Sequence, residues 1–332
     1  MMNSKYMNAW IQGEFGDPRE VLEWRESAAA QPGAGQLKIR VEGAGLNFPD
    51  LLCIQGKYQV KPPLPFTPGA ECSGIVEECG PGCKLFKPGD RVMGIATQGA
   101  FAEQMILEEK QAYPVPEEFP VEHAAGFLMT HQTSYFALVH RTSIKPGETL
   151  LVHGGAGGVG TTAIQIGKAL GASVMATAGT EEKLEICRQC GADQVLNYSR
   201  DDFVEAVKEW TGGRGADVIY DPVGGEVFER STKCIAWEGR LLVIGFAGGT
   251  IPKLAANRIL LKNISVVGLF WGNYMMHNPD LIRETQQKLY TLYEQKKIKP
   301  VIHETRPMDQ LLDALDLLNE RRINGKLVLV NS

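Results

Sequence analysis

Leu150-Leu151-Val152-His153-Gly154-Gly155-Ala156-Gly157-Gly158-Val159-Gly160 is the stretch whose reading decides the fold. A short apolar run leads into a glycine-rich turn with G-x-G-x-x-G at Gly155, Gly157 and Gly160. Beyond the turn, Val159, Ala163, Ile166 and Leu170 recur at helical spacing. Strand, glycine turn and helix in that order form a cradle for a pyrophosphate. The turn needs residues without a Cβ so that the anion can approach the backbone. The helix N-terminus then offers free N–H groups and a partial positive charge. The bare glycine pattern is weak, but here it lies between a strand and a helix, which is the context the mechanism requires.

Downstream, apolar runs at Ser173 to Ala178, Gln194 to Asn197, Asp217 to Tyr220 and Arg240 to Gly245 alternate with helical patterns. That alternation argues for a parallel sheet covered by helices. Two amphipathic helices follow, around Leu281 to Glu294 and Met308 to Arg321. Asn324-Gly325 stops the second, and Lys326 to Val330 reads as a last strand. Upstream, short runs at Leu37 to Val41, Gly74 to Val76 and Asp90 to Met93 are separated by turn signals such as Lys87-Pro88-Gly89-Asp90. Short strands at this spacing indicate a β-rich domain.

A chain of 332 residues is too long for one compact core and suits two domains. Its net charge of -5 gives no overall field for nucleic acid or an anionic membrane surface. The opening MMNSKYMNAW has no signal-peptide character, and no apolar run approaches the length of a membrane span. Seven cysteines in a chain this long do not resemble a secreted disulfide framework, so a cytoplasmic location is expected.

The second strand of the dinucleotide domain distinguishes the two nicotinamide cofactors. An NAD site places Asp or Glu at that strand's end, about 20 residues past the glycines, to hold the ribose hydroxyls. Here the strand ends Ala176-Thr177-Ala178-Gly179-Thr180, without an acid at its tip. Lys183 follows in the next helical turn, where an ammonium can reach a 2′-phosphate. Glu181 and Glu182 oppose this, although acids are favoured in a first helical turn capped by Thr180. NADPH is the expected cofactor. Its candidate contacts are Gly155, Gly157, Gly158 and Val159 at the turn, with Gly179, Thr180 and Lys183 at the strand end.

Further marks extend along nearly the whole chain. They are Gly45-Leu46-Asn47-Phe48-Pro49-Asp50, Gly56-Lys57-Tyr58, Leu64 to Glu71, Gly89-Asp90-Arg91-Val92, Asn197-Tyr198 and Gly325-Lys326. Taken with the cofactor marks, the chain resembles the zinc-independent quinone oxidoreductases, the zeta-crystallin-like group of the medium-chain dehydrogenase/reductase superfamily. The resemblance implies an α/β protein in which a GroES-like β-rich domain accompanies a doubly wound Rossmann domain. The expected divisions are residues 1–129 for the first part of the GroES-like domain, 130–267 for the Rossmann domain, and 268–332 for the return. The resemblance also implies that Asn47, Thr133, Tyr198, Phe246, Phe270 and Arg321 approach the cofactor. It suggests a homodimer joined through the sheet edge near Ile264 to Leu269.

Relatives that use zinc carry a Cys where this chain has Asn47, and a Gly-His-Glu where it has Gly69-Ala70-Glu71. Neither Cys79 with Cys83 nor Cys187 with Cys190 has a second pair at zinc-site spacing, so no metal is expected. Without a Lewis acid the acceptor must be electrophilic by itself, as a quinone or enone is. The protein then supplies orientation and donors for developing oxyanion charge. The candidates are the Asn47 amide and the Tyr58 hydroxyl, which is also placed to give the proton that completes an enone reduction. Asp50 is read as positioning the same loop. Three functions are weighed: an NADPH:quinone reductase, a 2-alkenal or 2-enoyl thioester reductase, and an NADPH-binding structural or regulatory protein with little turnover. The expected partner is a small conjugated acceptor, with neither nucleic acid nor membrane.

Overall fold

The computed structural model describes residues 5–331. They form two compact units: one contains the chain up to Met129 and again from Ile302 onward, the other Thr130–Val301.

In the first unit, β1 (Tyr6–Gln12) and β2 (Leu22–Ala28) make an antiparallel pair. The main sheet begins with β3 (Gln36–Gly45), β4 (Glu71–Cys79), β5 (Arg91–Ile95), β6 (Gln104–Glu108) and β7 (Ala112–Pro114). Leu37, Ile39 and Val41 alternate along β3 and are buried with Phe101, Met105 and Leu107. The apolar side chains keep the two-residue period of a strand, although Lys38 between them is also buried and the pairing with β4 shifts register at Lys38/Ile39 and at Val41/Gly43.

The second unit holds β8 (Thr149–Val152), β9 (Ser173–Ala178), β10 (Gln194–Asn197), β11 (Ala216–Asp221), β12 (Ile235–Val243) and β13 (Ser265–Gly268). All pair in parallel, in the order β10-β9-β8-β11-β12-β13. The chain winds outward from β8 to β10, then returns to the other side of β8 with β11. The reversal leaves a crevice at the C-terminal ends of β8 and β11, the usual ligand position of such sheets.

The tail returns to the first unit as β14 (Ile302–Pro307) and β15 (Lys326–Val330), a parallel pair joined through the helix Leu311–Asn319. β15 lies antiparallel to β3, with Val328 opposite Gly45, and Leu327 and Leu329 complete the core. The return expected at residue 268 therefore lies at 302. The helix Pro279–Glu294 stays with the second unit because its polar atoms are committed there. Gln132 Nε2 donates to Ile282 O (3.1 Å) and Gln286 Oε1 (2.8 Å), and His140 Nε2 meets Thr285 Oγ1 at 3.0 Å. Lys299 is held on both sides by the Gln165 amide, at 2.6 and 3.0 Å. The sequence carries the helix but does not say which core it covers.

Candidate functional site

The phosphate turn begins where β8 ends. Gly157 is the N-cap of the helix Gly158–Ala169, and no side chain caps that end. Its first N–H groups are thus presented to whatever fills the turn. A Cβ on Gly155 would lie 2.7 Å from Cys187 Sγ, and one on Gly160 would collide with Gly154 O. Glycine is required at both positions for close packing, while Gly157, Gly158 and Val159 are only partly buried. The candidates Gly155, Gly157, Gly158 and Val159 thus lie in one continuous turn, with Gly155 buried at its base and the other three partly exposed.

The tip of β9 lies alongside. Thr180 Oγ1 caps the helix Glu181–Gln189 by accepting from Lys183 N at 3.3 Å. A Cβ on Gly179 would lie 2.9 Å from Tyr198 Oη, and Ser199 Oγ donates to Gly179 O at 3.2 Å. Glu181 is paired with Arg188 (2.9 Å) and Arg200 (3.3 Å). The hydrogen bond from Arg188 leads in holding its carboxyl below the usual range. Its charge is thus matched within the helix and its surroundings, which weakens the sequence objection to a phosphate there. Gly179, Thr180, Lys183 and Tyr198 come together at this tip. Arg200, which sequence reading passed over, joins them because the turn after β10 folds back on β9.

Thr133 lies on the helix Leu128–Tyr135. The neighbouring Ser134 Oγ bonds to Thr162 Oγ1 (2.7 Å), Tyr220 Oη (3.0 Å) and Val159 O (3.1 Å). That buried network ties Thr133's helix to the one opening at the phosphate turn. Phe246 and Phe270 follow the C-terminal ends of β12 and β13, on the crevice side of the sheet. The loop carrying Phe246 is zipped to the turn after β11 by Ala247 N to Pro222 O (3.0 Å) and Gly248 N to Val223 O (2.8 Å). Asp221 Oδ1 holds that turn by accepting from Val223 N and Gly224 N, at 2.8 and 3.0 Å.

Asn47, Tyr58 and Arg321 belong to the first unit. Arg321 follows the helix Leu311–Asn319 with a left-handed backbone, φ 58°. Asn47 opens the helix Phe48–Ile54, and its side chain is closed on itself and its neighbours. Its amide donates to Gly45 O (3.0 Å) and Glu71 Oε2 (3.1 Å), while Oδ1 accepts from Lys326 Nζ (2.6 Å). Lys326 also donates to Leu46 O (2.9 Å) and Glu71 Oε2 (3.1 Å), and Glu71 Oε1 accepts from Met129 N (2.9 Å). Glu71 is fully buried and Lys326 nearly so. The expectation that Asn47 lends an N–H to a substrate oxygen is therefore corrected, because both of its amide hydrogens are already used.

Asp50 Oδ2 accepts from Asn47 N at 2.8 Å. Burial pushes its carboxyl up to about 7, against the opposing pull of the Asn47 N–H and Lys326. Tyr58 lies beyond the same helix, half-buried, with its N–H donating to Leu52 O at 3.1 Å. Burial, then the charges of Cys53 and Asp50, push its phenol up to about 12. It is therefore protonated at neutral pH.

A metal does not fit these residues. Among the described residues no group of three His, Cys, Asp or Glu side chains is arranged to hold one. Glu71, the one carboxylate retained from the zinc pattern, is already paired with the ammonium of Lys326.

A glycine cradle at the switch point of a parallel sheet, carried with a separate β-rich unit, defines the two-unit dinucleotide-dependent oxidoreductases. Two family profiles match accordingly: the alcohol dehydrogenase GroES-like domain over residues 33–117, and zinc-binding dehydrogenase over residues 158–287. The chain is 38% identical to the quinone oxidoreductase-like protein 2 homolog of Nematostella vectensis, across 98% of this chain and 89% of that protein. The crystal structure of Escherichia coli quinone oxidoreductase complexed with NADPH superposes with a TM-score of 0.90 at 31% identity, covering 97% and 99% of the two chains. CurK enoyl reductase superposes with a TM-score of 0.88 at 25% identity, covering 99% and 100%. The chain belongs to the medium-chain dehydrogenase/reductase superfamily, in its zinc-independent quinone oxidoreductase group.

Proposed function

We propose that this protein binds NADPH and catalyses hydride transfer to a quinone or another small conjugated carbonyl compound. The observation that carries the reading is the closed Asn47–Glu71–Lys326 cluster. It fills the place of a metal-binding set with a buried ion pair, so the acceptor must accept hydride without a Lewis acid. NADPH is supported by the acid-free tip of β9 and by the NADPH complex of the Escherichia coli relative.

Bound NADPH supplies the hydride. The protein's residues bind, orient and protonate. The glycine turn and the uncapped helix hold the pyrophosphate. Thr180, Lys183 and Tyr198 take the 2′-phosphate, with Arg200 beside them. Thr133, Phe246, Phe270 and Arg321 are assigned to the cofactor through the family likeness. Asn47 acts by position: its backbone N–H anchors Asp50, and its side chain closes on Lys326. Tyr58, half-buried beyond the helix that Asn47 opens and protonated at working pH, is the candidate donor to the acceptor oxygen or carbon.

The likeness to CurK enoyl reductase supports a second reading, reduction of an enone or enoyl thioester, by the same residues. Steady-state NADPH oxidation with quinones, alkenals and enoyl thioesters decides between them. A kcat/KM highest for quinones supports the first. A highest value for enoyl thioesters transfers the reading to the second, and turnover of none overturns both.

The assembly we propose is a homodimer through the outer edge of β13. Ile264 and Leu269 are buried, but Val266 on that edge and Leu260 and Leu261 on the adjoining helix Ala256–Lys262 are exposed. An open apolar edge of this kind is ordinarily covered. Among the described residues no helix is long and apolar enough to cross a membrane. All seven cysteines are free thiols, which supports a cytoplasmic location.

A further inference from the structure

His153 sits at the root of the phosphate turn, between β8 and Gly154, and is buried. Its Nε2 lies 2.9 Å from Ser231 Oγ and its Nδ1 lies 3.0 Å from Thr177 Oγ1. Ser231 donates its own hydrogen to Val227 O at 2.7 Å, so toward the imidazole it can only accept. Nε2 therefore carries the proton, and the bare Nδ1 accepts from the Thr177 hydroxyl. The ring packs edge-on against Phe203, with centroids 4.8 Å apart, and the Arg230 guanidinium lies over that same Phe203 ring. Burial, then Arg230, pull the imidazole down to about 3, so one neutral tautomer persists across the physiological range.

The backbone gives this bond a direction. Thr177 O accepts from Gly155 N at 2.9 Å, so Thr177 grips the turn on both sides of Gly154. Thr177 also lies on β9 just before Gly179 and Thr180, the tip assigned to the adenosine phosphate. We propose that His153 is a positioning residue for the cofactor, holding the phosphate turn in register with the tip of β9 through Thr177. The span between the pyrophosphate cradle and the 2′-phosphate contacts is then set by the His153–Thr177 bond. Ser231 fixes the tautomer that makes it. The inference rests on the NADPH reading, but it concerns the spacing of two subsites and not the acceptor.

The test measures dissociation constants by fluorescence titration for NADPH, which spans both subsites, and for 2′-AMP, which engages the tip alone. His153→Gln keeps a donor toward Ser231 and loses the acceptor toward Thr177. Thr177→Val removes the same hydroxyl from the other side while keeping the carbonyl that holds Gly155. His153→Asn keeps the acceptor toward Thr177 and loses Ser231. Loss of one hydrogen bond predicts NADPH binding weakened about three- to tenfold in His153→Gln and Thr177→Val. In both, 2′-AMP binding stays within about twofold, and His153→Asn stays near the unaltered protein for both ligands. Unchanged NADPH affinity in Thr177→Val and His153→Gln overturns the inference. So does parallel weakening of NADPH and 2′-AMP, which marks general damage to the unit. If the unaltered protein fails to bind NADPH, the cofactor reading itself falls and takes this inference with it.

Discussion

Replacing Tyr58 by Phe keeps the ring and removes one hydroxyl, which separates the two classes of acceptor. A quinone spreads added charge over its ring, so a protein donor matters modestly. An enone concentrates charge on one oxygen and also needs a proton at carbon. A proton-transfer group contributes about 10²–10⁴-fold. We expect Tyr58→Phe to lower kcat/KM less than about tenfold with a quinone and clearly more with an enone. Equal and negligible effects would make Tyr58 a packing residue. His153 gives a second test at this scale, through pH. Its folded pKa, about 3, lies below the ordinary 6.5. Between those values the unfolded chain takes up a proton that the folded protein refuses, so stability falls as pH drops through that window. The slope approaches about 1.4 kcal/mol per pH unit. Asp50, with a folded pKa raised to about 7 from 3.8, works the other way: its contribution falls as pH rises from 3.8 to 7. Comparing urea unfolding of the protein and His153→Asn from pH 7 to pH 4 cancels the Asp50 part. The unaltered protein should lose more stability than the variant, and parallel curves would contradict the assigned burial of a neutral imidazole.

Among the elements, the strand β9 and the helix after it are the proposed readers of the choice between nicotinamide cofactors. The strand ends without an acid, and Thr180 spends its oxygen capping the helix that brings Lys183 to the tip. Glu181 is occupied by Arg188 and Arg200 and leaves the tip receptive to a phosphate. We expect NADPH to bind more tightly than NADH. Lys183→Ala should narrow that preference by about 1.5–3 kcal/mol, the range of a charge-assisted contact. Titration of both cofactors against both proteins checks this. Equal affinity in the unaltered protein would show that the end of β9 does not read the 2′-phosphate.

For the whole molecule, the open side of β13 is the feature that calls for a partner. Val266 faces outward on the edge strand, and Leu260 and Leu261 add apolar surface beside it. Val266→Lys places a charge where a second copy would pair, a device that natural edge strands use against association. We expect the unaltered protein to sediment as a dimer and Val266→Lys as a monomer, with the unit's thermal unfolding little changed. A protein that is monomeric before the change would remove the proposed interface.

The sequence by itself determined the phosphate turn, the parallel sheet around it and the β-rich unit before it. These rest on local rules: glycines where a Cβ collides, alternation along Leu37, Ile39 and Val41, and apolar spacing after Val159. It also brought Gly179, Thr180 and Lys183 into one reading, since they adjoin in the chain. Tertiary structure decided what depends on distant partners. In the sequence the Asn47 amide is an available donor, but Glu71 and Lys326, far along the chain, use both of its faces. The amphipathic pattern of the helix Pro279–Glu294 suits the tail as well as the second unit, and it is Gln132 and His140 that hold it in the second unit. His153 stood beside the glycines in plain view, yet its role comes from Thr177 and Ser231, on a strand and a helix that only folding brings to it. Periodicity and turn chemistry are written in neighbouring residues. Whether a polar atom is still free to act depends on what the fold has already paired with it.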